Sequence, residues 1–366
     1  MRIFFSVNHS GCAYWRCRVP AKVIEKLGLA EVVVFSQEDT TREDLEDIMS
    51  WANVIVGQSA AGALSVALIM KYKELGKITV MDYDDLVYSC SPFNPAYRTL
   101  GISNVTIKDD KGNESFMWQD GVNGFSLKEN LVRYRSQQDI LRLTDLITTT
   151  NKHLAERYGK DIPEQKDKIF VLPNSIDFDT FKPFPKRENK KIRIGWTPSA
   201  SHYAEAFMVR DIFERILKKY GDKVEFVILG DLIELKDYFK DKLEYHQFID
   251  LSIYPLKLAS LNLDIAICPL EDNEFNRYKS QLKWSEFAAM KIPCVVSDSL
   301  PYEDVIEGST GLKAKNVDEW EEKLSILIDS PSLRSHVSDN AYDFNRQHYD
   351  IEKNARLWVK AYEGQR

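Results

Sequence analysis

The sequence predicts an α/β protein built on parallel sheets, and three observations predict it. Short β-branched or apolar runs alternate with helical patterns from end to end, the pattern of strands buried on both faces and separated by helices. The runs are too many for one small sheet, and the series restarts after a break. The break, Lys182 to Lys191, carries two prolines and five basic residues without helical or strand period, so it reads as an exposed linker.

Taken in order, the first half gives strands at Ile3–Val7, Val32–Phe35, Val54–Gly57, Ile78–Met81, Leu146–Thr149 and Ile169–Leu172. The second half gives Ile192–Trp196, Val224–Leu229, Phe248–Ile249, Ile265–Cys268 and Cys294–Ser297. Between Thr99 and Ser126, the run Val105–Lys108, a turn through Asp109 to Asn113, and the run Ser115–Trp118 read as an inserted β-hairpin. From about Asn316 the tail is helical, and Trp320, Leu324, Leu327 and Trp358 give it apolar faces suited to core packing. The expected division is therefore two Rossmann-like domains, 1–185 with an insertion at about 99–126 and 186–340, facing a central cleft. Segment 341–366 is expected to pack back toward the N-terminal domain as a helix. Loops at the carboxyl ends of both sheets would meet in the cleft, where a ligand would sit.

Composition narrows the classes. The chain has 366 residues, 44% hydrophobic and 29% charged, which excludes disordered, collagenous and low-complexity proteins. A net charge of −7 argues against a nucleic-acid binder overall. Lys128, Arg133, Arg135 and Arg142 on one predicted helix still leave a nucleic-acid acceptor or a peripheral membrane contact open. Five scattered cysteines without a Cys-x-x-Cys pair fit neither a disulfide framework nor a structural zinc site. No stretch approaches the ~20 apolar residues of a membrane span. The first residues, Met1 to Val7, read as a strand rather than a secretion signal, so the expected location is cytoplasmic.

The most informative stretch runs from Asp272 to Met290, between two predicted strands. Ser280 is a good helix N-cap, which would leave the amides of Gln281 to Lys283 free at the helix start. With Lys279 and Lys283 one turn apart, this is an anion site suited to a diphosphate. Glu286, three residues past Lys283, could accept hydrogen bonds from ribose hydroxyls. A solvated helix face with spaced charges explains the same spacing.

The order Pro-Leu, Lys-Ser-x-x-Lys-x-x-Glu, Pro-x-Val-x-Ser, Asp-Val-Ile and Gly-Leu resembles the C-terminal domain of the group 1 nucleotide-sugar glycosyltransferases. It stands here at Lys279, Ser280, Lys283, Glu286, Pro293, Val295, Ser297, Asp304-Val305-Ile306 and Gly311-Leu312. The resemblance implies the two-domain GT-B fold, a UDP- or GDP-sugar donor, retention of anomeric configuration and no bound divalent metal or other cofactor. It places Glu286 on the donor ribose and Lys279, Ser280 and Gln281 on the donor diphosphate. The other glutamate of the family's E-x7-E motif is replaced by Tyr278, and the family's Gly-Arg…Lys loop has no clean match. Ser199, Ser201 and His202 stand at that loop's place and could hold phosphate. Ile249 falls where the family reads the nucleobase.

In the N-terminal half, Gly11 matches the family's small residue in the first loop, and Arg16 could steady phosphate or acceptor charge. Asp82-Tyr83-Asp84-Asp85 ends the strand Ile78–Met81. Carboxylates there could grip a divalent ion or act as a base, and they read as acceptor-side groups, with helix capping an alternative for Asp85. His9 is close to the first loop, and His153 reads as a helix start. Asn174 matches a family turn before the crossover and reads as structural. The expected catalytic set is Lys279, Glu286, Asp84 and Asp85. The resulting expectation is a retaining transferase that moves a sugar from a nucleotide-diphosphate donor to an acceptor the sequence does not name. The alternatives are an inactive binding module and a sugar-nucleotide epimerase of the same architecture.

Overall fold

A computed structural model describes residues 1–7, 11–36, 45–109 and 111–364. His9 lies outside the described residues. The strands are β1 Arg2–Val7, β2 Glu31–Ser36, β3 Val54–Gln58, β4 Ile78–Tyr83, β5 Val105–Lys108, β6 Glu114–Trp118 and β7 Leu146–Thr149. They continue with β8 Ile169–Val171, β9 Ile192–Trp196, β10 Val224–Gly230, β11 Leu243–Gln247, β12 Ile265–Cys268, β13 Cys294–Ser297 and β14 Leu312–Ala314.

Two six-stranded sheets result, ordered β2-β1-β3-β4-β7-β8 and β11-β10-β9-β12-β13-β14, and every pairing within them is parallel. Each strand order reverses once, at β1/β3 in the first sheet and at β9/β12 in the second. Crevices outside the carboxyl ends of strands at such reversals are where open α/β sheets hold ligands. β5 and β6 pair antiparallel as the expected hairpin. Its Trp118 packs at a tilt on Tyr97 and Phe125 and donates its indole N–H to Pro92 O at 2.7 Å, so the insertion braces the loop that follows Asp85.

Two edge strands depart from the expectation. Phe248 and Ile249 lie just past β11 rather than in it, and β14 had no apolar run to announce it. Both strands sit at sheet edges, and β11 buries only Leu243, its other residues being partly or fully exposed. The rule of continuous apolar runs holds for strands covered on both faces and fails at an edge. The tail also divides differently. Helix Pro331–His348 packs on the second sheet's core through Val337 and Ala341. Only helix Ile351–Tyr362 returns, burying Ile351, Ala355, Trp358, Ala361 and Tyr362 against Ile3, Phe5 and Val23 of the first sheet's core. The return runs beside the outgoing crossover, with Ile176 N–H donating to Tyr349 O at 2.7 Å and Ile351 N–H to Ile176 O at 3.0 Å.

Arg16 is a correction to the sequence reading, because it lies in the core and not in the cleft. It is 0% exposed and sits in a π-helical turn, Tyr14–Arg18. Its Nε and Nη2 donate to Asp82 Oδ1 and Oδ2 at 3.0 and 2.8 Å, and its Nη1 donates to Leu172 O and to Asn174 Oδ1, the latter at 3.1 Å. Asp82 also accepts Thr148 Oγ1 at 2.6 Å. The first residue of the Asp82–Asp85 run is therefore structural. Pro20 has no N–H for the carbonyl of Arg16 four residues back, and that carbonyl accepts the Trp358 indole N–H at 3.4 Å instead.

Of the four basic residues on the expected helix, now Leu127–Leu143, Arg142 is paired with Glu164 at 3.0 Å, and Lys128, Arg133 and Arg135 are exposed. Among the described residues no helix is long and apolar enough to cross a membrane.

Replacing Arg16 by Met leaves Asp82 buried without its counter-charge, and should cost about 3–5 kcal/mol of stability. Urea unfolding of the variant beside wild type measures this, and a loss below about 1 kcal/mol would remove the pair from its structural role.

Candidate active site

The carboxyl ends of both sheets open on one cavity of about 310 Å³. The N-terminal domain brings Gly11 and Cys12 after β1 and Asp84 and Asp85 after β4. The C-terminal domain brings Ser199, Ser201 and His202 after β9, Asp231 after β10, and Phe248 and Leu251 after β11. Lys279, Ser280, Lys283 and Glu286 follow β12 and lead into helix Leu282–Ala289. A larger groove of about 870 Å³ runs under the linker at the amino ends of β9, β12 and β13, and holds none of the expected catalytic or donor-binding residues.

The phosphate-side loop is shaped by Gly230, where a Cβ would stand 1.9 Å from Pro198 O; only a glycine lets the two segments pass. Asp231 Oδ2 then accepts the Ala200 N–H at 2.9 Å, and the Ser199 and Ser201 hydroxyls lie 2.9 Å apart. Helix Tyr203–Tyr220 follows without a side-chain cap, so its first amides point out of the helix unsatisfied by it. Burial holds His202 below the usual imidazole range despite Glu205, whose Oε2 lies 3.6 Å from its Nδ1. Burial opposes the charge on Glu205 too, but His202 and the Glu271 N–H outweigh it and pull its pKa down to about 2.

Across the cavity, Glu286 is 1% exposed and its Oε2 accepts Tyr254 OH at 2.8 Å and Lys283 Nζ at 3.1 Å. Lys283 Nζ also lies over the Tyr254 ring at 5.4 Å. Lys279 Nζ stands 4.0 Å from Asp85 Oδ2 and 4.6 Å from the Phe275 ring. Burial works against its charge, yet Asp85, Glu205, Cys12 and Asp84 raise its pKa above the ordinary lysine value. Burial, then Asp85, push Asp84 up to about 7. Cys12, Asp84 and Asp85 offer ligand atoms within 4.8 Å of one another, the group among the described residues that could hold a metal ion. Lys279 already supplies a positive charge there.

The structure thus brings Gly11, Asp84, Asp85, Ser199, Ser201, His202, Lys279, Ser280, Lys283 and Glu286 together, and not Arg16, Gln281 or Ile249. Gln281, not Ser280, occupies the cap position of helix Leu282–Ala289. Ser280 stands one residue before the cap, in the turn 278–281, and its hydroxyl accepts Asn174 Nδ2 at 2.9 Å rather than a helix amide. Gln281 is buried and donates to Asn174 O at 2.9 Å. Ile249 packs on the core, and its neighbour Phe248 faces the cavity. Asp85 caps no helix, since the short helix after it begins past Leu86. Sequence reading missed Cys12, Tyr254 and Asp231, and took Asn174, which also lines the cavity, as structural alone. Pro255 at the first turn of helix Tyr254–Ser260 marked Tyr254 as a helix start, but nothing local joined it to Glu286.

No protein-family model and no curated protein matches the sequence. Solved structures do match over nearly the whole chain. Anabaena HepE in complex with UDP and glucose shares 11% identity at a TM-score of 0.65, with 99% of each chain covered. Sucrose-phosphate synthase from Thermosynechococcus elongatus shares 12% identity at a TM-score of 0.67, covering 99% of this chain and 98% of its own. A putative UDP-N-acetylglucosamine 2-epimerase from Listeria monocytogenes shares 13% identity at 0.57, covering 99% and 95%. The likeness is one of fold, and the fold is the two-domain GT-B architecture.

The Asp84 shift has a sign. Its carboxyl holds a proton more tightly folded (about 7) than unfolded (3.8), so it contributes stability below about pH 4 that is lost as pH rises through 7. Asp84→Asn should remove this loss, and its urea midpoint should gain on wild type between pH 4 and 8. A constant offset across that range would contradict it.

Proposed function

We propose that the chain is a glycosyltransferase that takes a sugar from a nucleotide-diphosphate donor and transfers it to an acceptor hydroxyl. One observation carries this reading: groups of opposite charge, supplied by different domains, converge on one cavity at the two strand-order reversals. Lys279, Lys283 and the start of helix Leu282–Ala289 form the cationic side. Asp84 and Asp85 form the anionic side. HepE, of the same architecture, is a complex with UDP and glucose, which supports the class of donor.

In this reading the donor diphosphate lies against Lys279, Lys283, the first amides of helix Leu282–Ala289 and the Ser199–His202 loop. Charge builds on that diphosphate as the sugar leaves, and preorganised donors aimed at it lower the barrier. Glu286, held in place by Tyr254 and Lys283, accepts the ribose hydroxyls. Phe248 offers an exposed ring on the nucleotide side, in the role first assigned to Ile249. The acceptor enters beside Asp84 and Asp85. The lysines supply the positive charge at the leaving group, so the reaction needs no divalent ion. The resemblance of the Lys279–Glu286 segment to retaining enzymes makes retention the proposed outcome, by attack on the donor's own face. A second reading, a sugar-nucleotide epimerase, is favoured by the fold shared with the Listeria protein. Product analysis without an acceptor separates them: an epimerised donor supports the second, an intact one the first.

Titration calorimetry and thermal shift with UDP, GDP and their glucose and mannose derivatives test the donor site. One nucleotide should bind, stabilising the fold by about 2.7 kcal/mol at a hundredfold excess over its Kd. Lys279→Ala should weaken that binding about 10- to 100-fold, the loss expected for hydrogen bonds to a charged group. Glu286→Gln should abolish transfer while keeping the fold. Full activity in both variants would sink the assignment.

A further inference from the structure

The turn Tyr278-Lys279-Ser280-Gln281 belongs to the C-terminal domain by sequence, yet it is held from outside that domain. Asn151 Nδ2, on the N-terminal domain, donates to Tyr278 O at 3.0 Å and to Lys279 O at 3.1 Å. Asn174 Nδ2, on the crossover, donates to Ser280 Oγ at 2.9 Å, and Asn174 O accepts Gln281 Nε2 at 2.9 Å. The Tyr278 side chain packs against the N-terminal core cluster of Ile147, Leu154 and Tyr158. Lys279 reaches toward Asp85 of the same domain.

The chemistry fixes how both amides face. Arg16 can only donate, so the Asn174 Oδ1 must point at it and the Nδ2 at Ser280. Asn151 Oδ1 accepts the Leu154 N–H at 2.9 Å as the N-cap of helix Lys152–Asp161, which leaves its Nδ2 to face the two carbonyls. No residue of the C-terminal domain duplicates these donations to the turn among the described residues.

The geometry points to Asn151 and Asn174 as positioning residues for the donor diphosphate. The N-terminal domain shapes the Lys279–Gln281 turn, so the phosphate site is complete only when the two domains stand together. The inference rests on the reading of that turn as the donor-diphosphate site and adds a coupling between domain arrangement and nucleotide affinity. Sequence signals on either residue alone report only a helix cap and a turn, because their second role lies 127 and 106 residues away.

Asn151→Asp tests this cleanly. Aspartate caps a helix as well as asparagine, so stability should hold, but its oxygens cannot donate to the Tyr278 and Lys279 carbonyls. The control is His153→Ala, which breaks the contact of His153 Nε2 with Glu303 Oε1 (2.9 Å) across the same interface without touching the turn. With UDP and GDP as probes, the nucleotide that wild type binds should lose about tenfold in affinity for Asn151→Asp, within the range of measured couplings between sites. His153→Ala should stay within about twofold, as expected for a partly exposed pair. In a double variant with Lys279→Ala the two losses should fall short of additive, because both act on one turn. Equal affinity in wild type and Asn151→Asp, with the urea midpoint unchanged, overturns the inference and leaves the donor reading standing. An equal loss in both single variants also overturns it, since adhesion between the domains then accounts for the effect. A wild type that binds neither nucleotide removes the donor reading and the inference with it.

Discussion

The buried pair of Arg16 and Asp82 is the constraint on which the arrangement of the first domain depends. A guanidinium taken fully out of water must find an anion and hydrogen-bond acceptors for its N–H groups, or the burial cost dominates. Here the partners come from the ends of several strands. Asp82 ends β4, Thr149 O ends β7, and Leu172 O and Asn174 follow β8. Trp358 covers the site with its ring 5.5 Å away, bringing the returning C-terminal helix to the same place. One side chain thus sets the relative heights of several strand ends, and these strand ends carry the site. Asp84 and Asp85 line the cavity just past the end of β4, two and three residues beyond the anchored Asp82.

The same cavity explains why net charge was a poor guide. The chain carries −7 overall, but the lysines of the cleft, Lys279 and Lys283, come from the C-terminal domain and share one cavity with Asp84 and Asp85 of the N-terminal domain. Lys279 is the point where the two signs meet, 4.0 Å from Asp85. Their proximity raises the pKa of the lysine, while burial and the neighbouring carboxylate raise that of Asp84. The cluster therefore holds less negative charge near neutral pH than its composition suggests.

The central strands were legible because both their faces are covered and their runs are continuously apolar; β3, β12 and β13 are examples. The edges were not, because β11 and β14 place Glu244, His246 and Lys313 in the pattern. In the site, Lys283 and Glu286 were legible because helical spacing alone brings them together, whereas Lys279 lies in the turn before that helix and joins them through the tertiary fold. Arg16 and Gln281 were misplaced for the opposite reason. Their residue types suit a ligand and a buried network equally, and the partners that decide, Asp82 and Asn174, are set by the tertiary fold. Asn151 showed its helix-capping half, which is local, and hid the half that crosses to the other domain.

The strengths of these contacts are distributed in a way that suits two domains able to part. The bond that would be ruinous to break, Arg16 to Asp82, lies wholly within one domain. Across the interface stand amide-to-carbonyl bonds at Asn151 and Asn174, each worth about 1 kcal/mol net because water can replace either partner. The ion pairs beside them, Arg157 with Glu274 at 2.6 Å and Lys152 with Glu303 at 3.1 Å, are partly exposed and so cheap to separate. A bound anion at Lys279 would add to this weak side of the balance alone. The energy needed to hold the domains together then falls within what a nucleotide's binding can supply, whereas the scaffold that aims Asp84 and Asp85 stays outside its reach.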